Sequence, residues 1–227
     1  QRTLKPSIVA PRRLPSGFLA PATLPPAVIS SAPAAIQPIA RVDFEWAGET
    51  ARHVGTVVHD FLRQIAEQGL ATWSVARISQ SKHLFELELR RLGVDAAARP
   101  EAARRVETAL INTVEDERGR WLLGEQMEAK SEWRLTGHTE GSVVNIAIDR
   151  TFVADDGTRW IIDYKTGEHK GGNLDVFLNN EVLRYRQQIE TYAALLHRFQ
   201  ISRIQSPIRL GLYFPMLAGW REWRWES

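Results

Sequence analysis

The chain has 227 residues, 44% of them hydrophobic and 25% charged, which suits one well-packed domain with an appendage. Its net charge is only +2, but a pI of about 9.1 leaves room for a basic face that follows phosphates. The absence of cysteine excludes disulfides, thiolate zinc sites and iron–sulfur clusters. No apolar run reaches the ~20 residues of a membrane span and no signal peptide is visible, so we expect a cytoplasmic protein.

The N-terminal stretch differs in composition from the rest of the chain. Residues 1–45 hold eight of the 11 prolines, together with many alanines and serines and little charge. Such a composition favours extended or polyproline conformations over a packed element. We therefore predict a Pro-rich linker or arm over residues 1–45 and one globular domain over residues 46–227.

Four stretches have the apolar periodicity of helices. They are predicted over residues 50–68, 79–92, 100–123 and 180–199. The first carries an apolar stripe at three- and four-residue spacing. Gly69 and Gly93 end the first two stretches, and Pro100 suits the first turn of the third.

Strand-like patterns alternate with these helices. They cover residues 127–135, 143–153, 160–164, 207–214 and 220–225. Asp156-Gly157, a strong turn signal, joins the second and third strands into a β-hairpin. The order of helices, a strand meander, a helix and further strands predicts a three-layer α/β domain, with a central mixed sheet flanked by helices.

The predicted hairpin carries three charged side chains in strands that are otherwise apolar. Asp163 and Lys165 lie on one face, roughly 6.5 to 7 Å apart, and Tyr164 points to the other. If the hairpin places Asp149 beside Asp163, the two carboxylates repel unless a cation lies between them, and such oxygen ligands suit Mg²⁺ or Mn²⁺. With Lys165 beside the attacking water, this arrangement is suited to hydrolysing a phosphodiester.

Further candidates lie outside the hairpin. Glu132 is either a third carboxylate near the metal or an edge-strand glutamate in solvent. Gln188 and Tyr192 share a helix face with Arg184, a column that could hold a backbone phosphate and stack a base, although structural roles remain open. The chain has no G-x-x-x-x-G-K-[ST] loop, so we predict no ATP site.

The same residues carry a resemblance to a known family. The pattern of Asp149 followed by Asp163-Tyr164-Lys165-Thr166-Gly167 resembles the PD-(D/E)XK nuclease superfamily, and IIDYKTG is similar to the RecB/AddA-type module of bacterial DNA-repair helicases. Three more segments match that family in its order. They are Gly55 to His59 (G-x-x-x-H), Ser131-Glu132-Trp133, and Gln188 to Tyr192 (Q-x-x-x-Y).

This resemblance implies a restriction-endonuclease-like core and a Mg²⁺- or Mn²⁺-dependent DNA exonuclease acting in DNA end processing. Metal ligands would be His59, Asp149, Asp163 and the carbonyl of Tyr164, with Lys165 assisting the attacking water. The expected partners are DNA and a helicase, either as a domain N-terminal to this chain or as a separate subunit. The first residue is Gln, so we expect a piece of a longer protein.

One departure from the family pattern keeps an alternative open. Family members often carry Gly in a G-x-I-D run, whereas this chain has Ile146-Ala147-Ile148-Asp149. The alternative is a nuclease-fold module that binds DNA or a helicase without cutting. The intact set of two acids and a lysine favours the enzyme, and a restriction or junction-cutting nuclease remains within the same class.

Overall fold

A computed structural model describes residues 48–139, 142–169, 171–200 and 206–226. The predicted Pro-rich arm over residues 1–45 lies outside these ranges. Within them, no helix is both long enough and apolar enough to cross a membrane.

The predicted helices are all present, with some changes at their ends. They are α1 (Glu49–Gln68), α2 (Val75–Gln80), α3 (Lys82–Arg91), α4 (Arg99–Glu115), α5 (Glu117–Leu123) and α6 (Leu174–Gln200). Helix α1 ends before Gly69, whose φ of 86° is readily adopted by a residue without a side chain. Helix α6 begins earlier than the predicted residue 180.

Two of the predicted helices are each divided into a pair. The stretch 79–92 contains the end of α2 and all of α3, which meet at Ser81. The stretch 100–123 is broken at Asp116, whose carboxylate accepts a hydrogen bond from the Gly119 amide at 2.8 Å and caps α5. Apolar periodicity continues across both breaks, which is why the pattern alone did not show them.

Among the described residues, five strands form one sheet in the order β1-β2-β3-β4-β5. They are β1 (Met127–Thr139), β2 (Ser142–Val153), β3 (Arg159–Tyr164), β4 (Ile208–Phe214) and β5 (Gly219–Arg224). Strands β3 and β4 are parallel and the other neighbours antiparallel, with α6 as the crossover that a parallel pair requires. The predicted α/β fold, a mixed sheet packed against helices, is confirmed and matches a restriction-endonuclease-like core.

Apolar side chains pack on both faces of the sheet. Helices α1 to α5 cover one face, which we call the α1–α5 layer; its core includes Phe61, Phe85, Leu110, Phe152 and Ile162. Helix α6 covers the other face, the α6 layer, with Ile148, Ile161, Tyr185, Ile189 and Leu210. Because side chains alternate along β3, Asp163 points to the same face of the sheet as Ile161, which is the face covered by α6.

Strand β2 changes faces at Asp149. Ile148 packs in the α6 layer, whereas Arg150 points to the other layer and donates hydrogen bonds to two carbonyls at the end of α5, each at 3.1 Å. The neighbouring strand turns at the same level, since Glu132 has a φ of 48°. Such a left-handed backbone costs on the order of 1–3 kcal/mol in a residue with a side chain. Both carboxylates therefore lie at the boundary between the two layers.

Candidate active site

The end of β3 carries the charged residues of the hairpin. Strands β2 and β3 pair with Arg150 opposite Ile162, so the next residues, Asp149 and Asp163, stand at the same level of the sheet. The backbone amide of Tyr164 donates a hydrogen bond to Asp149 Oδ2 at 2.7 Å. The structure thus brings the two acids of the motif together and fixes one carboxylate through the backbone of the other strand.

Helix α1 supplies His59. One turn before it, Gly55 lets the helix approach the chain that follows β3, because a Cβ at Gly55 would lie 2.8 Å from Thr166 Oγ1. This approach places His59 Nε2 3.0 Å from the carbonyl oxygen of Tyr164. A carbonyl only accepts hydrogen bonds, so Nε2 carries a proton and donates it, as metal-binding histidines commonly do with their other nitrogen. The second nitrogen, Nδ1, faces the acids.

His59, Glu132 and Asp149 form a group that can hold a metal ion. Nδ1 of His59 lies 3.4 Å from Asp149 Oδ1 and 3.7 Å from Glu132 Oε1. One ligand atom from each residue lies within 4.8 Å of the others. Octahedral Mg²⁺ has ligands at about 2.0–2.1 Å, which places neighbouring ligands about 3 Å apart. The group supplies the nitrogen and oxygen ligands that a divalent cation takes, at spacings close to those of neighbouring ligands.

Lys165 is paired with Asp163. Its Nζ lies 2.7 Å from Asp163 Oδ2, and the two side chains are 13% and 6% exposed. Within the described part of the chain, Asp163 does not belong to the compact group that can hold a metal. The metal roles expected for Asp163 and for the Tyr164 carbonyl stay predictions, because here the first contacts Lys165 and the second accepts from His59.

A comparison with models of protein families identifies the family of this chain. A model of the PD-(D/E)XK nuclease superfamily matches residues 37–219. The chain belongs to this superfamily. Nucleases of the superfamily typically use a divalent metal, and membership indicates metal-dependent phosphodiester hydrolysis with a nucleic acid as substrate. No curated protein matches the chain.

Burial and neighbouring charges shift the pKa values of the ionisable side chains in this PD-(D/E)XK site. Burial alone would lower the pKa of His59, but the Asp149, Glu132 and Asp163 carboxylates raise it well above its usual value. Burial, reinforced by the Asp149 charge, raises the pKa of Asp163 to about 6 despite Lys165. For Asp149, burial is outweighed by the charges of His59 and Lys165, which hold its pKa below the usual range. A divalent cation would displace these protons, since both metal and protons neutralise the same acids.

The predicted DNA-binding column on α6 is only partly accessible. Gln188 Nε2 donates a hydrogen bond to the Tyr192 hydroxyl, but Tyr192 is only 7% exposed within the core of the α6 layer. A buried ring offers no face to a base, so the expected base stacking by Tyr192 is incompatible with this packing. Arg184 is exposed and lies 3.7 Å from Glu181. For Gln188 and Arg184, DNA contact stays a prediction.

The burial of Tyr192 leads to a stability prediction. Replacing Tyr192 with Ala should lower the free energy of unfolding by about 3–5 kcal/mol, as for other large buried side chains truncated in a core. DNA affinity of the folded fraction should be unchanged, because the ring is not at the surface. Urea unfolding and fluorescence anisotropy with labelled DNA measure the two quantities. Weakened DNA binding at unchanged stability would show instead that the ring reaches DNA.

One contact of the site was not predicted. The ring of Tyr185 lies below the Lys165 ammonium, with Nζ 4.0 Å from the ring centroid. Spacing along α6 indicated only which residues share a helix face, whereas this contact depends on how α6 crosses the sheet. The sequence showed only that Tyr185 is an aromatic residue one turn before Gln188. That observation is equally typical of a core position.

Proposed function

We propose that this domain is a Mg²⁺- or Mn²⁺-dependent deoxyribonuclease. The observation that carries the proposal is the group of His59, Glu132 and Asp149 beside the Asp163–Lys165 pair at the end of β3. A non-cleaving module would have no use for a lysine held next to a metal site. Superfamily membership supports phosphodiester hydrolysis as the reaction.

The residues of the site would have separate roles in metal binding and in hydrolysis. His59 Nδ1, Glu132 and Asp149 would hold the cation, and Asp163 would complete the set through its second carboxylate oxygen. A bound Mg²⁺ polarises the scissile phosphate and lowers the pKa of a water molecule. Lys165 would position the attacking water and stabilise the negative charge that develops on the phosphate. Asp163, by its contact with Nζ, would fix the direction of that ammonium.

A role in a DNA-repair helicase–nuclease is the finer part of the proposal. Its support is the resemblance of four segments to the RecB/AddA-type module. In one of them, the G-x-x-x-H segment, Gly55 lies against Thr166 and His59 contacts the Tyr164 carbonyl. We propose an exonuclease that processes DNA ends, attached to a helicase domain or subunit.

A cleavage assay tests the metal-dependent deoxyribonuclease and the exonuclease in this proposal. Labelled linear single- and double-stranded DNA and covalently closed circles are incubated with the purified chain in Mg²⁺, in Mn²⁺ or in EDTA. We expect metal-dependent release of label from linear DNA and intact circles. Metal-dependent cutting of the circles would replace the exonuclease by an endonuclease. The absence of cutting with either metal, while DNA is still bound, would support the non-cleaving module.

A further inference from the structure

Lys165 is held from two sides. On one side its Nζ contacts Asp163 Oδ2 at 2.7 Å, and on the other it lies 4.0 Å from the centroid of the Tyr185 ring. The two contacts come from different elements, since Asp163 belongs to β3 and Tyr185 to α6. An ammonium above an aromatic face at this distance is attracted by the negative face of the ring.

Tyr185 is a rigid support for this contact. It is 1% exposed and packs in the core of the α6 layer, so its ring cannot follow a moving lysine. Lysine has a flexible four-carbon stem and a point charge, so one carboxylate contact leaves the ammonium several orientations. A fixed ring beneath the ammonium removes many of them and excludes water from that side.

We propose that Tyr185 is a positioning residue for the nuclease reaction, with its ring holding the Lys165 ammonium in the orientation that the attacking water requires. The inference rests on the proposed function and adds to it a residue of α6, the helix that covers the face of the sheet on which Asp163 lies. The ring acts through Lys165 and does not touch substrate. Glu181, on the same helix, also attracts the Lys165 charge and is paired with Arg184 at 3.7 Å, but a carboxylate attracts the ammonium without supplying the flat, buried surface of the ring.

The first test compares two substitutions of Tyr185 with a packing control. Tyr185→Leu removes the aromatic face and Tyr185→Phe keeps it. Ile189→Ala, on the next turn of α6 and fully buried, removes core packing from the same helix while keeping the aromatic face of Tyr185. Metal-dependent cleavage of linear DNA is measured for each variant at a temperature where all are folded.

We expect a split between kcat and KM. Tyr185→Leu should lower kcat roughly ten- to thirtyfold, as for loss of a desolvated cation–π contact, with little change in KM. Tyr185→Phe should restore nearly all of the wild-type kcat. Ile189→Ala should lower the melting temperature and leave kcat unchanged. A kcat equally low in Tyr185→Phe or in Ile189→Ala would overturn the role of the ring face.

The second test does not depend on activity. With lysines labelled by ¹³C at Cε, the Lys165 methylene protons, assigned as the signal missing from Lys165→Met, should be shifted upfield by the ring. The shift should persist in Tyr185→Phe and disappear in Tyr185→Leu; its absence in the wild type would overturn the contact. Failure of wild-type cleavage would overturn the proposed function, whereas wild-type cleavage with an unchanged kcat in Tyr185→Leu would overturn only the positioning role.

Discussion

Replacing Lys165 with methionine should abolish metal-dependent cleavage while leaving the fold and metal binding intact. Methionine keeps most of the apolar stem and its packing but lacks the charge that positions the water and stabilises the developing negative charge. The loss of one such group typically costs 10²–10⁴-fold in rate, and we expect a decrease on the order of 10³-fold. Initial rates on labelled linear DNA measure it, and thermal melting with and without Mg²⁺ checks the fold and the metal.

The protein should tolerate this substitution. Asp163 loses its cationic partner, but burial and the neighbouring Asp149 already raise its pKa to about 6. It can therefore take up a proton instead of remaining as an unpaired buried charge. Lys130→Met is a matched control. The Lys130 ammonium also lies over an aromatic ring, with Nζ 3.9 Å from the centroid of the Trp133 ring, but Lys130 is not one of the proposed site residues. Cleavage undiminished in Lys165→Met would place the active site elsewhere.

Local rules were sufficient to predict the acidic hairpin. The Asp156-Gly157 turn fixes the pairing of two strands, and the two-residue period of a strand then places Asp163 and Lys165 on one face. The sequence left the register open, since a two-residue Asp156-Gly157 loop would set Asp149 opposite Tyr164. The loop has three residues, with Gly157 at a φ of 80°, and this sets Asp149 at the level of Asp163. His59 was harder, because helical periodicity put it beside an apolar stripe without indicating what it faces. Only the resemblance to a nuclease family connected it with the hairpin.

The remaining features depend on tertiary packing. The sequence did not decide whether Glu132 is a metal ligand or a solvent-exposed residue. Its place at the site follows from the face change of β1 and β2, and no residue pattern indicates the φ of 48° that Glu132 adopts there. Tyr192 was expected to meet DNA from its place on the helix. It is buried because this part of α6 packs on the sheet together with Ile189 and Leu196, and Tyr185, which was not singled out, reaches Lys165 from the same packed face.

Mg²⁺ or Mn²⁺ should raise the melting temperature of the wild-type chain, and Asp149→Asn should abolish the rise. A ligand that binds only the folded state stabilises it by mass action, by about 2.7 kcal/mol at a hundred times Kd. Asp149 is central to the site, since Oδ1 lies 3.4 Å from His59 Nδ1 and Oδ2 accepts from the Tyr164 amide. Asparagine keeps an oxygen for that amide, so the fold should survive, but it removes the charge on which divalent binding depends.

The control for Asp149→Asn is Asp155→Asn, which removes an exposed carboxylate from the turn of the same hairpin. It should leave the metal-dependent rise as large as in the wild type, because Asp155 lies outside the group of His59, Glu132 and Asp149. Differential scanning fluorimetry over a range of Mn²⁺ concentrations measures all three proteins. If Asp149→Asn retained the full rise, the cation would have to bind away from this group, and the assignment of its ligands would be wrong. A loss confined to Asp149→Asn ties the metal to the point where β2 changes faces.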